Sequence, residues 1–220
     1  MTMTLEGRTL RKIAVVDDDE SVRASYIDDL SDLDVELIGI SGLGGDVSTA
    51  WESSLGDCDA VVTDLVLKRS GYAPFNGGAL VVECRRRKIP AILCTSYSDV
   101  NHELLRCERR YVAAILPQAR FDLDLIHDGL RRSIGEIEGR FIPERRPWRT
   151  QVEIVDAPAG ADYVSVIVMG RSPNEKAKVY KSELPSEIQS RAKPGTILHA
   201  LVNTGAKSAE DLYFDEWEPK

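Results

Sequence analysis

Short, wholly apolar runs alternate with amphipathic stretches through the first 138 residues, and the alternation then stops. Ile13-Ala14-Val15-Val16, Ala60-Val61-Val62 and Ala91-Ile92-Leu93-Cys94 have no polar face. They read as strands buried on both sides, as in a parallel sheet. Val35 to Ile40, interrupted by Glu36, and Val112 to Leu116 read as strands as well. Between them apolar residues recur at helical spacing. Val22, Tyr26, Ile27 and Leu30 predict a helix over 20–31, and Val47, Trp51 and Leu55 one over 46–55. A third runs from Gly77 to Arg87 and a fourth lies near 99–110. Phe121, Leu125, Ile126, Leu130 and Ile134 trace a last one to about 137. Strands and helices in strict alternation predict an α/β fold over 11–138, a doubly wound five-stranded parallel sheet with right-handed crossovers. Residues 1–10 show no such period and read as a loose extension.

Residues 139–150 hold Pro143 and Pro147, which bar a continuous helix, and read as a linker. Over 151–220 the texture is period two. Val152 to Val155, Tyr163 to Met169, Ala177 to Tyr180, Thr196 to Val202 and Leu212 to Phe214 read as short strands between Pro, Gly or Asn turns. One short helix is expected near 185–191. Five strands in about 70 residues predict a small antiparallel barrel or sandwich.

Composition narrows the classes of function. The 220 residues carry a net charge of −8 with a pI near 5.0, which disfavours a mainly nucleic-acid-binding chain. Residues 1–138 hold 16 Lys and Arg against 24 Asp and Glu, so the acidity belongs to the first domain. The linker arginines Arg140, Arg145 and Arg146 are then expected along that domain. Cys58, Cys84, Cys94 and Cys107 lack metal-type spacing, and most fall in core elements, so buried thiols are expected. No apolar run approaches the ~20 residues of a spanning helix and no signal peptide is read, so a cytoplasmic protein is expected.

The first strand runs straight into Asp17-Asp18-Asp19-Glu20. Carboxylates this close repel unless a cation lies among them, and a hard divalent ion is the simplest one. The plainer reading is that Asp18 or Asp19 caps the helix that follows, with the other acids favouring its positive end. A second buried run also stops at an acid, Asp64, and a third stops at Thr95-Ser96. In open α/β sheets ligands collect beyond the carboxyl ends of the strands. If these strands are neighbours, Asp17, Asp18 and Asp64 converge.

Strand-end acids, a strand-end Asp and a strand-end Thr, in that order, resemble the receiver domain of two-component response regulators over residues 10 to about 137. The resemblance implies a flavodoxin-like fold. It makes Asp17 and Asp18 the pair that holds Mg2+, or Mn2+, beside a phosphoacceptor Asp64. The backbone carbonyl of Val66 would be a further ligand, and the Thr95 hydroxyl would bond the phosphoryl group. It also implies a sensor histidine kinase or phosphotransfer protein as partner and no enzyme activity beyond the phosphoryl exchange. The sequence departs from the family at three places. Leu116-Pro117 stands where the family has Lys-Pro, and no lysine occurs between Lys88 and Lys176. Ala113 takes the place of the switch aromatic, with Tyr111 two residues earlier. The loop after Asp64 is about five residues longer than usual before Asn76-Gly77. The β region resembles no effector family, and a protein partner is expected for it. Homodimerisation is left open.

Other readings remain at this point. A constitutive scaffold would keep the fold for protein contacts and leave Asp64 unphosphorylated. A nucleic-acid-binding regulator is opposed by the acidic β region, and an enzyme there by its single histidine and lack of cysteine. His102, His127 and His199 have no catalytic company. Gly42-Leu43-Gly44-Gly45 lacks the dinucleotide pattern, and Arg85 to Lys88 suit a solvated helix end.

Overall fold

The computed structural model describes residues 2–67, 71–95, 104–118 and 122–219. The chain divides into two compact units, Met1–Asn101 with Tyr111–Arg140, and His102–Arg110 with Phe141–Lys220. Among the described residues no helix is long and apolar enough to cross a membrane.

The first unit opens with a hairpin, β1 (Met3–Leu5) and β2 (Arg8–Leu10), paired antiparallel. Glu6 and Gly7 both have positive φ, 49° and 80°, the two-residue turn whose twist matches paired strands. Leu5 and Leu10 enter the core of the unit, so these residues are not a loose extension. The central sheet holds β3 (Lys12–Val16), β4 (Glu36–Ile40), β5 (Ala60–Thr63), β6 (Ala91–Thr95) and β7 (Ile115–Pro117). All pairs are parallel, in the order β4-β3-β5-β6-β7. That is the flavodoxin-like order, whose direction of winding reverses between β3 and β5.

Around it lie α1 (Glu20–Asp29), α2 (Val47–Ala50, continued by a π-helical turn through Leu55), α3 (Gly77–Arg86) and α4 (Leu123–Ile137). Each starts on a residue whose side chain accepts from its first-turn N–H groups: Asp19, Asp46, Asn76 and Asp122. Ile13, Val15, Val62, Ile92, Ile126, Leu130 and Ile134 pack between sheet and helices. The fifth strand is shorter than expected and begins at Ile115. Cys58, Cys84 and Cys94 are buried thiols, while Cys107 is exposed.

The β unit contains β8 (Trp148–Asp156), β9 (Tyr163–Val168), β10 (Ala177–Tyr180), β11 (Ile197–Val202) and β12 (Phe214–Pro219) in one antiparallel sheet, ordered β10-β9-β8-β11-β12. Of the expected barrel or sandwich, the unit has a single open antiparallel sheet, and the described residues hold no second layer of strands. The sheet curls as a half-barrel. Its one apolar face, with Val152, Ile154, Val166, Val179, Leu198 and Ala200, is covered by Leu184, Ile188 on α5 (Ser186–Gln189), Ala206 and Leu212. Alternating burial along β9 and β11 leaves no second apolar face that would require a partner sheet.

Two further expectations fail. A helix was expected near 99–110. Residues 99–103 lie outside those described, and 104–110 form turns rather than a helix and belong to the β unit. In the linker, Pro143–Arg145 make a 3-10 turn, and Arg145 is buried within the β unit, over the Tyr213 ring. Arg140, at the end of the first unit, pairs with Glu138 and with Glu6 at 2.9 Å.

Candidate functional site

The four acids after β3 divide their work. Asp19 caps α1, its Oδ1 accepting from the N–H groups of Ser21 at 2.9 Å and Val22 at 3.3 Å. The capping reading therefore belongs to Asp19, which leaves Asp17 and Asp18 to the strand end. Asp64 follows β5, its N–H bonded to the Val16 carbonyl at 2.8 Å, so the ladder between the two strands continues into the acids. One carboxylate oxygen each of Asp17, Asp18 and Asp64 lies within 4.8 Å of the others. The Asp17 carboxylate accepts the Asp19 N–H at 2.8 Å, and the Asp64 carboxylate accepts the Val66 N–H at 3.2 Å. Asp17 is 4% exposed. Burial, then the charges of Asp64, Asp18 and Asp19, push its carboxyl up to about 6 against the Asp19 N–H bond.

Main-chain packing fixes Asp64 from the other side. Gly77, the first residue of α3, lies against the Asp64 peptide, and a Cβ there would fall 1.8 Å from the Asp64 carbonyl oxygen. Thr63 Oγ1 donates to the same carbonyl at 3.0 Å. Thr95 ends β6, buried, in register with Pro117.

No protein-family model matches the chain, and no curated protein matches it. Solved structures do. A response regulator receiver domain protein from Clostridium thermocellum is 16% identical with a TM-score of 0.44, over 59% of this chain and 98% of that one. The signal receiver domain of an HD domain-containing protein from Pseudomonas fluorescens Pf-5 is 18% identical with a TM-score of 0.44, over 60% and 99%. A CheY-like receiver domain protein from Methanospirillum hungatei JF-1 is 16% identical with a TM-score of 0.43, over 59% and 98%. Receiver domains are what this chain is similar to.

Three oxygen donors at two adjacent strand ends fit a small hard cation, which takes one or two carboxylates and keeps several waters. Leu116, where the resemblance implies a lysine, adds no charge. Leu116 is buried in the core with Cys94 and Ile126, and Ala113 is buried as well.

Two aromatic residues beside the acids carry no sequence signal beyond apolar spacing. The long loop after Asp64 folds inward, burying Leu65, Leu67, Tyr72 and Ala73; its residues 68–70 lie outside those described. The Tyr72 hydroxyl donates to the Ile40 carbonyl at the end of β4 at 2.6 Å, and the Tyr72 carbonyl accepts the Leu43 N–H at 2.7 Å. Arg23 stacks 5.6 Å over the Tyr72 ring and donates to the Asp17 carbonyl at 2.6 Å. Burial pushes the Tyr72 hydroxyl up to about 12, with Arg23 opposing. Tyr26 of α1 is buried in the core with Cys94 and Leu116, and burial, then the charges around it, push its phenol up. Removing the hydroxyl in Tyr72→Phe orphans the Ile40 carbonyl and is expected to cost about 1–2 kcal/mol in urea unfolding. An unchanged midpoint would show that the loop holds without that bond.

Proposed function

We propose that the first unit is a signalling receiver in which Asp64 accepts a phosphoryl group, with a divalent cation held by Asp17, Asp18 and Asp64. The observation that supports this is the convergence of the three carboxylates at the ends of β3 and β5, on a sheet of flavodoxin-like order. In the reaction a carboxylate oxygen of Asp64 attacks phosphorus of a phosphohistidine or a small phosphodonor. The bond from phosphorus to the histidine nitrogen, or to the donor's bridging oxygen, breaks as the acyl phosphate forms. Mg2+ or Mn2+, when bound, would offset charge on the phosphoryl oxygens. The Val66 N–H holds the acceptor carboxylate in place, and the Val66 carbonyl is the further ligand the resemblance implies. The Thr95 hydroxyl, at the end of the next strand, would donate to a phosphoryl oxygen. The donor is then a histidine kinase or phosphotransfer protein, and the β unit serves a protein partner.

A second reading is favoured by one observation, the buried Leu116 and Ala113 where a phosphoryl-sensing lysine and aromatic would stand. It makes the unit a scaffold that is not phosphorylated. Acetyl phosphate with Mg2+ separates the two. The receiver reading expects one added phosphoryl mass, lost in Asp64→Ala, and Mn2+ binding weakened in the same variant. No adduct, with Mn2+ binding unchanged in Asp64→Ala, would leave the scaffold.

A further inference from the structure

The sheet of the β unit is open, with β10 and β12 as its edges. The turn at Ala209–Asp211, just before β12, packs against β10 and leaves a seam between them. Residues 104–110 bond to both sides of that seam. Arg106, 7% exposed, donates to the Lys178 carbonyl in β10 and, at 3.3 Å, to the Glu210 carbonyl across the seam. Arg109 pairs with Asp211, and Arg110 with Asp215 of β12. Arg145 locks the main chain of the segment from behind, donating to the carbonyls of Arg109 at 3.4 Å and Arg110 at 2.9 Å. Tyr213 donates its hydroxyl to the Arg145 carbonyl. An edge strand exposes carbonyls that invite a pairing chain, and here guanidinium groups meet them instead. Three arginines within five residues, each with its own partners on the β unit, make a side-chain-read peptide contact.

In sequence the same segment lies between β6 and β7, the strand that ends in Thr95 and its hydrogen-bonded neighbour. Both of its ends are therefore covalently tied to the strands that carry Thr95 and Leu116. We propose that the seam between β10 and the turn before β12 is a peptide-binding cleft, that residues 104–110 are its built-in occupant, and that filling the acidic pocket changes how firmly this occupant is seated. The last clause rests on the receiver reading; the first two stand without it. A ligand at the pocket moves the segment only so far as it binds one seating better than the other.

Hydrogen exchange on the full chain tests each part. Without ligand, Arg106→Ala is expected to speed exchange of β10 and of residues 209–214 on the order of tenfold or more, leaving β3 and β5 unchanged. Arg106→Lys, which keeps the charge but cannot fork to both carbonyls, should fall between, and it remains informative if the alanine variant does not fold. Unchanged protection in both variants, or equal loosening of β3 and β5, would overturn the cleft. With Mg2+ and beryllofluoride, wild type is expected to change protection at 60–66 and also at 104–110 and 177–180. In Arg106→Lys the first change should persist and the change at 177–180 shrink. A change at 60–66 that never reaches 177–180 in wild type would overturn the coupling. No change at 60–66 would refute the receiver reading instead, and the cleft would then be judged by the ligand-free comparison.

Discussion

Alanine in place of Gly77 is expected to destabilise the first unit by roughly 2–4 kcal/mol and to abolish divalent-cation binding at the acids. At the start of a helix this substitution normally helps, by up to about 1 kcal/mol, because alanine has the better propensity and a less flexible unfolded chain. The clash decides otherwise. The added methyl would fall 1.8 Å from the Asp64 carbonyl oxygen and 2.9 Å from its carbon, both main-chain atoms. No rotamer can relieve it, so either α3 lifts from the sheet or the Asp64 peptide turns. The second course carries the carboxylate away from Asp17 and Asp18 and breaks its bond to the Val66 N–H. Gly44→Ala is the control, since nothing lies within 4 Å of a Cβ there. Urea unfolding and Mn2+ titration on both variants give the answer. A Gly77→Ala protein with wild-type stability and wild-type Mn2+ affinity would mean that α3 does not set the position of Asp64.

Why these residues could be read in advance, and others not, follows from the range over which each acts. Apolar runs with no polar face mark strands buried on both sides, and the chemistry lies where such a run stops, so Asp17, Asp64 and Thr95 announce themselves locally. Asn76 and Gly77 are local signals too, a helix cap and a missing side chain. The hairpin at residues 3–10 escapes because each strand is three residues long, with a single core leucine apiece. Residues 104–110 escape for the opposite reason. Their helix-compatible spacing is overridden by partners far along the chain, such as Lys178 and Asp211. The period-two pattern of the β region fixes one buried face, but the same pattern suits a half-barrel, a closed barrel or a sandwich. What covers the face is decided by the segments at 184–188 and 206–212. Tyr72 sits in a loop whose apolar residues look incidental until the chain folds back over the end of β4.

Without a divalent cation, Asp17→Asn is expected to be more stable than the wild type at pH 7.5, by about 2–3 kcal/mol; the advantage should fall to roughly half of that at pH 5 and vanish only below the unfolded value of 3.8. The Asp17 carboxyl ionises in the unfolded chain near 3.8 and in the folded chain only at about 6, chiefly through burial and the neighbouring Asp64. The folded state thus holds the proton more tightly. The stability this contributes is fully present below the unfolded value and is lost as pH rises through the folded one. At neutral pH the folded chain must keep a buried anion beside two others, a cost the amide does not carry. Other carboxylates titrate over the same range, so the informative quantity is the difference between the two proteins at each pH. Saturating Mn2+ should reverse the order at pH 7.5, because a cation that binds only the folded state stabilises it by mass action, and it binds the ionised aspartate better than the amide. Thermal unfolding of both proteins at pH 5 and 7.5, with and without Mn2+, provides all the comparisons. A difference that ignores pH would show that Asp17 ionises normally, and one that ignores Mn2+ would place the cation elsewhere.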